Sequence, residues 1–263
     1  MSTALAAPVE PALELRDVRL AYGLREVLRG IDLCLAPGER VALLGENGAG
    51  KSSLLRCITG LAGNASGEVL IDGRTGRQHG REALARRVAV VPGQTDVAFP
   101  LRVEELVALG RIPHEHPLLG PREEDREAVA AAIRRVGVER LVGRDVRQLS
   151  LGERQLAVLA MSVAQGAGLL LLDEPTAHLD LRHQVAVMRL LRRLAEEDGV
   201  AVLAVMHDVA LAAHFFPRIV LLHEGRLVAD GAPAEVLTPE RIRQVYGVDP
   251  SIVPLPLPAR SPD

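Results

Sequence analysis

The apolar run Val41-Ala42-Leu43-Leu44 leads directly into Gly45-Glu46-Asn47-Gly48-Ala49-Gly50-Lys51-Ser52, a complete G-x-x-x-x-G-K-[ST]. Such a loop needs a buried strand before it and a helix after it, and residues 52–61 read as that helix. The glycines let successive backbone N–H groups turn inward as an anion nest, and the helix N-terminus adds positive potential. Lys51 then reaches the outer phosphates and Ser52 offers a hydroxyl to Mg²⁺. Glu46, Asn47, Ala49 and Ser53 complete the stretch expected to bind a nucleoside triphosphate. A glycine-rich turn that merely precedes Lys-Ser is the alternative.

Composition limits what can surround that unit. The chain has 263 residues, 48% of them hydrophobic, enough to bury a substantial core as one composite domain or a core with an insertion. Thirty-four acidic against 31 basic residues give a net charge of −3, and aromatics make up only 2%. That balance argues against nucleic acid as a partner, which calls for positive charge against phosphates and rings against bases. Cys34 and Cys57 lack C-x-x-C spacing and read as small hydrophobes in a reducing cytosol. No stretch reaches about 18 uninterrupted apolar residues, and residues 1–12 lack a basic start and an apolar core, so neither a membrane span nor a secretion signal is expected.

Alternation at period two over 13–20, 27–35 and 67–71 predicts half-buried antiparallel strands framing the loop. Continuous apolar runs at 41–44, 88–91, 168–172, 200–206 and 219–222 predict strands buried on both faces, as in a parallel sheet. Helical periodicity over 103–109, 123–136 and 150–165 marks a helical insertion covering residues 95–166. Residues 1–12 and the proline-rich 248–263 read as loose tails.

The second chemical landmark is Leu169-Leu170-Leu171-Leu172-Asp173-Glu174, an apolar strand ending in two carboxylates. Beside a phosphate loop, Asp173 supplies a Mg²⁺ ligand. Glu174, one residue on, can polarise the water that attacks the γ-phosphate. The plainer reading makes Asp173-Glu174-Pro175-Thr176 a polar turn closing the strand.

Together with Leu149-Ser150-Leu151-Gly152-Glu153, Leu179-Asp180 and His207-Asp208, these motifs resemble, in order and spacing, those of ATP-binding-cassette ATPases, over about residues 13–247. The resemblance implies an α/β fold: a P-loop NTPase core of mainly parallel sheet with helices, an antiparallel β subdomain and an inserted α-helical subdomain. It implies ATP and Mg²⁺ as cofactors. It also implies a homodimer in which each phosphate loop faces the other subunit's signature segment, Leu149, Ser150, Gly152 and Glu153.

Further roles follow from the match. Tyr22 resembles the aromatic that stacks on adenine, with core packing as its alternative. His207 resembles the histidine that contacts the γ-phosphate, with a satisfied structural histidine as the alternative. Asp180 resembles the residue that couples the two ATP sites, a role compatible with N-capping a helix over 181–197. His114-Glu115-His116, between Pro113 and Pro117, reads as a surface loop and not a metal site.

Two positions depart from the pattern. Leu151 stands where the signature has a glycine, so a bulky side chain occupies a place of close backbone approach. The glutamine that meets Mg²⁺ and its water falls on Gly93 in a gapless count, with Gln94 one step late, and Gln94 takes the role if the loop adjusts.

The string Val103 to His114, preceded by Phe99-Pro100, with Leu237-Thr238-Pro239-Glu240 and Val245-Tyr246-Gly247-Val248, resembles ATPases of bacterial importers for ferric siderophores, haem and cobalamin. That implies two integral-membrane permease partners, an extracytoplasmic binding protein, and a peripheral place on the cytoplasmic face of the inner membrane. Segment 99–116 is expected to dock a permease helix, with Leu109 and Arg111 at the surface. An ATP-gated dimerising module with weak hydrolysis and a soluble, non-transport member of the family stay open as alternatives.

Overall fold

The computed structural model describes residues 10–93, 99–116, 120–249 and 251. Its elements are β1 (Leu13–Tyr22), β2 (Arg25–Leu35), β3 (Arg40–Leu44), α1 (Lys51–Ile58), β4 (Ala65–Ile71), β5 (Arg74–Thr75), α2 (Gly76–His79), α3 (Arg81–Ala85), β6 (Val88–Val91), α4 (Val103–Ala108) and α5 (Glu123–Val136). There follow α6 (Leu151–Gln165), β7 (Leu169–Asp173), α7 (Leu181–Asp198), β8 (Ala201–Val205), α8 (Val209–Phe215), β9 (Arg218–His223), β10 (Arg226–Gly231), α9 (Pro233–Val236) and α10 (Pro239–Tyr246).

Two sheets form. One, in the order β2-β1-β4-β5, is antiparallel throughout. The other runs β10-β9-β3-β8-β7-β6 and is parallel except for the hairpin of β9 with β10. The strands of the second sheet read as continuous apolar runs because both their faces are covered. Val41, Leu43, Leu169, Leu171, Leu203 and Val205 pack with Leu15, Ile31 and Leu33 of the first sheet and Leu54 of α1. Ala42, Leu44, Leu170, Leu172 and Val202 point the other way, into α4, α6 and α7. Strand periodicity of two thus splits each run between two cores.

Helix ends follow local chemistry. Acidic residues Glu123, Glu124 and Asp125 occupy the first turn of α5, and Gly137, at φ 81°, ends it in the left-handed region. The helical layer shares its core with the sheet: Val103, Ile133, Leu156 and Leu190 belong to one buried cluster.

Arg111, expected at the surface of the docking segment, is instead largely buried. The apolar run ending at Ala108 continues as a 3₁₀ turn, Leu109–His114, packed on α6. Arg111 Nε donates to Asp125 Oδ1 at 2.9 Å, its Nη1 donates to the Ala164 carbonyl, and the pair's side chains are 15% and 6% exposed. The Arg122 N–H and the Arg111 guanidinium hold the Asp125 carboxyl below the usual carboxylate range. His114 likewise meets the Gln165 carbonyl, 2.8 Å away, so this stretch is not a free surface loop. Leu109 and Ile112 do remain exposed.

Candidate nucleotide site

Strand β3 delivers the phosphate loop, and two of its glycines are required by their neighbours. Gly45 has φ 151°, and a Cβ there would overlap the Leu222 carbonyl oxygen of β9. At Gly50, φ 110°, a Cβ would come within 2.9 Å of Leu28 Cδ2 and 3.0 Å of the Val27 carbonyl. Lys51 opens α1 and is only 7% exposed; its Nζ donates to the carbonyls of Gly45 at 2.8 Å and Glu46 at 2.9 Å. The ammonium thereby closes the loop into a cup. Burial pulls the Lys51 pKa below its ordinary value, against the opposing pull of Glu174, Asp173 and Glu46.

The C-terminal ends of β3, β8 and β7, adjacent in the sheet, bring the remaining groups together, where ligands of open α/β sheets bind. Ser52 Oγ donates to Asp173 Oδ1 at 3.2 Å. Glu174 adopts φ 55°, an uncommon conformation for a residue with a side chain, and its N–H is tied to the Val205 carbonyl at 3.0 Å. Its carboxylate lies 2.5 Å from His207 Nε2, just beyond β8. Lys51, Ser52, Asp173, Glu174 and His207, read as separate motifs along the chain, therefore form one contiguous cluster.

A cavity of about 680 Å³ opens beside the loop, lined by Arg25, Val27, Arg29, Asn47, Gly48 and Glu224 among others. Of this set, only the loop residues are marked as site residues by a motif. Arg25, Val27 and Arg29 had a signal, since they follow Tyr22 through a hairpin turn. Glu224 had none, because it arrives through the β9–β10 turn, where the Gly225 carbonyl accepts the Arg29 N–H at 2.8 Å. Tyr22 ends β1 and is 48% exposed, which excludes core packing. Gln94 lies outside the described residues. Gly93 has a physical reason to be glycine: a Cβ there would stand 2.5 Å from the Asp173 carbonyl oxygen, so the strand-end acid leaves no room for a side chain.

The signature segment sits apart from this cavity, whose lining includes none of residues 149–153. Leu149 is buried, Ser150 caps α6, and Glu153 completes a capping box: Ser150 Oγ accepts from the Glu153 N–H at 3.3 Å and the Glu153 carboxylate accepts the Ser150 N–H at 3.1 Å. Arg144, 3.4 Å from the Glu153 carboxylate, reinforces that end. Leu151 is the first residue of α6 and is half exposed. Asp180 caps α7, accepting the His183 N–H at 2.9 Å, and this bond with the His183 ring holds its carboxyl below the usual range.

Comparison with known proteins agrees with this geometry. The family profile described as ABC transporter matches residues 28–177. A hemin import ATP-binding protein, HmuV of Bordetella avium, is 41% identical over 93% of this chain and 95% of its own length. The ferric enterobactin transport ATP-binding protein FepC of Escherichia coli K12 is 37% identical over 92% of this chain and 89% of its own. Among solved structures, a metal-chelate type ABC transporter in an inward-facing conformation superposes with a TM-score of 0.80 at 26% identity, covering 91% of this chain and 90% of that one. With a profile match across more than half of its length and relatives that span nearly all of it, this protein belongs to the ABC transporter family.

Proposed function

We propose that the protein is the ATP-binding and ATP-hydrolysing subunit of an importer for a metal chelate of the ferric siderophore, haem or cobalamin kind. The observation that carries the hydrolytic reading is the 2.5 Å contact of Glu174 with His207 beside the phosphate loop. A carboxylate so placed takes a proton from the attacking water, and the imidazole holds it in position. The loop amides bind the phosphates. Lys51 exchanges its two carbonyl acceptors for charged phosphate oxygens, which make stronger hydrogen bonds. Tyr22 stacks on the base.

Ser52 Oγ and Asp173 Oδ1 are oxygen donors 3.2 Å apart, a set that fits Mg²⁺, whose chemistry here is to neutralise phosphate charge. Gln94 joins them by the family resemblance. Ser150 and Gly152 serve the partner's nucleotide in a homodimer, and Asp180 couples the two sites. That arrangement suits a signature segment that lies apart from its own chain's cavity.

Two integral-membrane permeases complete the assembly, supplied by an extracytoplasmic binding protein, with the ATPase peripheral on the cytoplasmic face of the inner membrane and no nucleic acid partner. Among the described residues no helix is long and apolar enough to cross a membrane. A cavity of about 500 Å³ between α3 and the 109–114 turn, lined by apolar Ala85, Ile112 and Pro113 and by Arg81, Glu82 and Glu115 among others, supports docking of a short permease helix there.

The test is Glu174→Gln. It should retain ATP, accumulate a closed dimer and lose turnover by about 100-fold or more. Hydrolysis at the parental rate would remove Glu174 as the base. Leu151 favours a second reading, an ATP gate with weak hydrolysis, which steady-state turnover of the parent with its permease separates from the first.

A further inference from the structure

Gly152 lacks a side chain for a reason that lies within its own chain. A Cβ built there would stand 2.5 Å from Cδ2 and 2.7 Å from Nδ1 of His183 and would overlap Cγ. The imidazole therefore lies flush against the backbone of the signature segment. The same ring presents Nδ1 to Asp180 Oδ1 at 2.9 Å, while its side chain is only 18% exposed. One residue on, Gln184 Nε2 donates to the Thr176 carbonyl at 3.4 Å. The stretch between is wound tightly: Ala177 N–H donates to the Glu174 carbonyl at 3.1 Å and Leu179 N–H to the Thr176 carbonyl at 3.3 Å. The first turn of α7 thus grips the loop that begins at Glu174, and its histidine touches the segment that begins at Ser150.

We propose that His183 is a positioning residue that locks Ser150–Gly152 to the 174–180 loop within one chain. The surface offered to the partner's nucleotide and the loop carrying the base for the chain's own nucleotide then move as one piece. This rests on the reading of the protein as an ATP-hydrolysing dimer. Loading of ATP on Lys51 and Ser52 does not pass through His183, whereas the closed, hydrolysing arrangement does, so kcat and not KM carries its signature.

The experiment is steady-state ATP hydrolysis by the purified full-length protein, beside melting curves, for H183A, H183F and H183N, with K51A as control. H183A should lower kcat by about tenfold or more, the scale of a small misplacement of catalytic groups. KM for ATP should stay within about twofold. H183N keeps an N–H for Asp180 while removing the ring from Gly152. It should recover the parental melting temperature and remain slow, and it carries the test if H183A does not fold. Parental kcat in H183N, or a kcat that tracks melting temperature across the three variants, would overturn the proposal. A parent that binds and hydrolyses no more ATP than K51A would instead overturn the nucleotide reading beneath it.

Discussion

The phosphate loop and the signature segment differ in how much of their chemistry each completes alone. At the loop, Ser52 meets Asp173 and Glu174 meets His207 beside the buried Lys51, with the residues gathered around the ends of three adjacent strands. At the signature, Ser150 and Glu153 satisfy each other in a capping box, Gly152 rests on His183, and nothing of the segment reaches the cavity beside the loop. One region gathers groups from distant parts of the chain, and the other satisfies its polar groups locally and stands outside that cavity. That contrast is what the proposed homodimer requires, in which the signature of one copy completes the nucleotide site of the other.

The largest expected effect lies on the loop side. Lys51→Ala removes the point charge for the outer phosphates and should lower turnover by about 100-fold or more, with a matching loss of ATP affinity. Equilibrium binding and steady-state hydrolysis check it, and parental affinity would mean that the loop amides alone hold the phosphates.

Mixing variants tests the division itself. K51A and S150R should each be inactive alone. Their mixture should regain ATP-driven dimerisation, because one of the two composite sites then combines an intact loop with an intact signature. Failure of the mixture while the parent dimerises would place the signature's action within its own chain.

Arg111→Ala should act on neither region and instead cost about 3 kcal/mol of stability, since it leaves the Asp125 carboxylate buried without its partner. Thermal melting reads it. An unchanged melting temperature would show the pair to be dispensable and would return Arg111 to consideration as a permease contact, a role that Leu109, exposed and outside the ion pair, fills better.

The smallest effect belongs to Leu151→Gly. Leucine is a better helix former by roughly 0.5 to 1 kcal/mol, so the variant should melt slightly lower. Removing a half-exposed side chain from the segment proposed to face the partner should raise ATPase activity or the dimer fraction. Lost activity without a folding defect would make Leu151 an adapted contact.

The sequence by itself determined the features whose cause lies in contiguous residues. The apolar strand ending in Asp173-Glu174 and the Asp180 cap are local, and each took the predicted form because neighbours along the chain suffice to specify it. The motif marks the loop's glycines, but distant groups such as the Leu222 carbonyl add a second reason for them. The continuous strands at 41–44 and 169–173 were legible too, since burial on both faces leaves an unbroken apolar run. Strand β10 was not legible because an edge strand, half buried, carries no such run. Tertiary structure alone decided what depends on residues far apart. The approach of Gly93 to Asp173, the seat of His183 on Gly152, the burial of Arg111 against Asp125 and the arrival of Glu224 beside the loop join positions 14 to roughly 200 residues apart, and periodicity extends over only a few turns. Two glycines that a motif explains by nearness to a nucleotide, or leaves unexplained, are small because the protein's own groups already occupy the space.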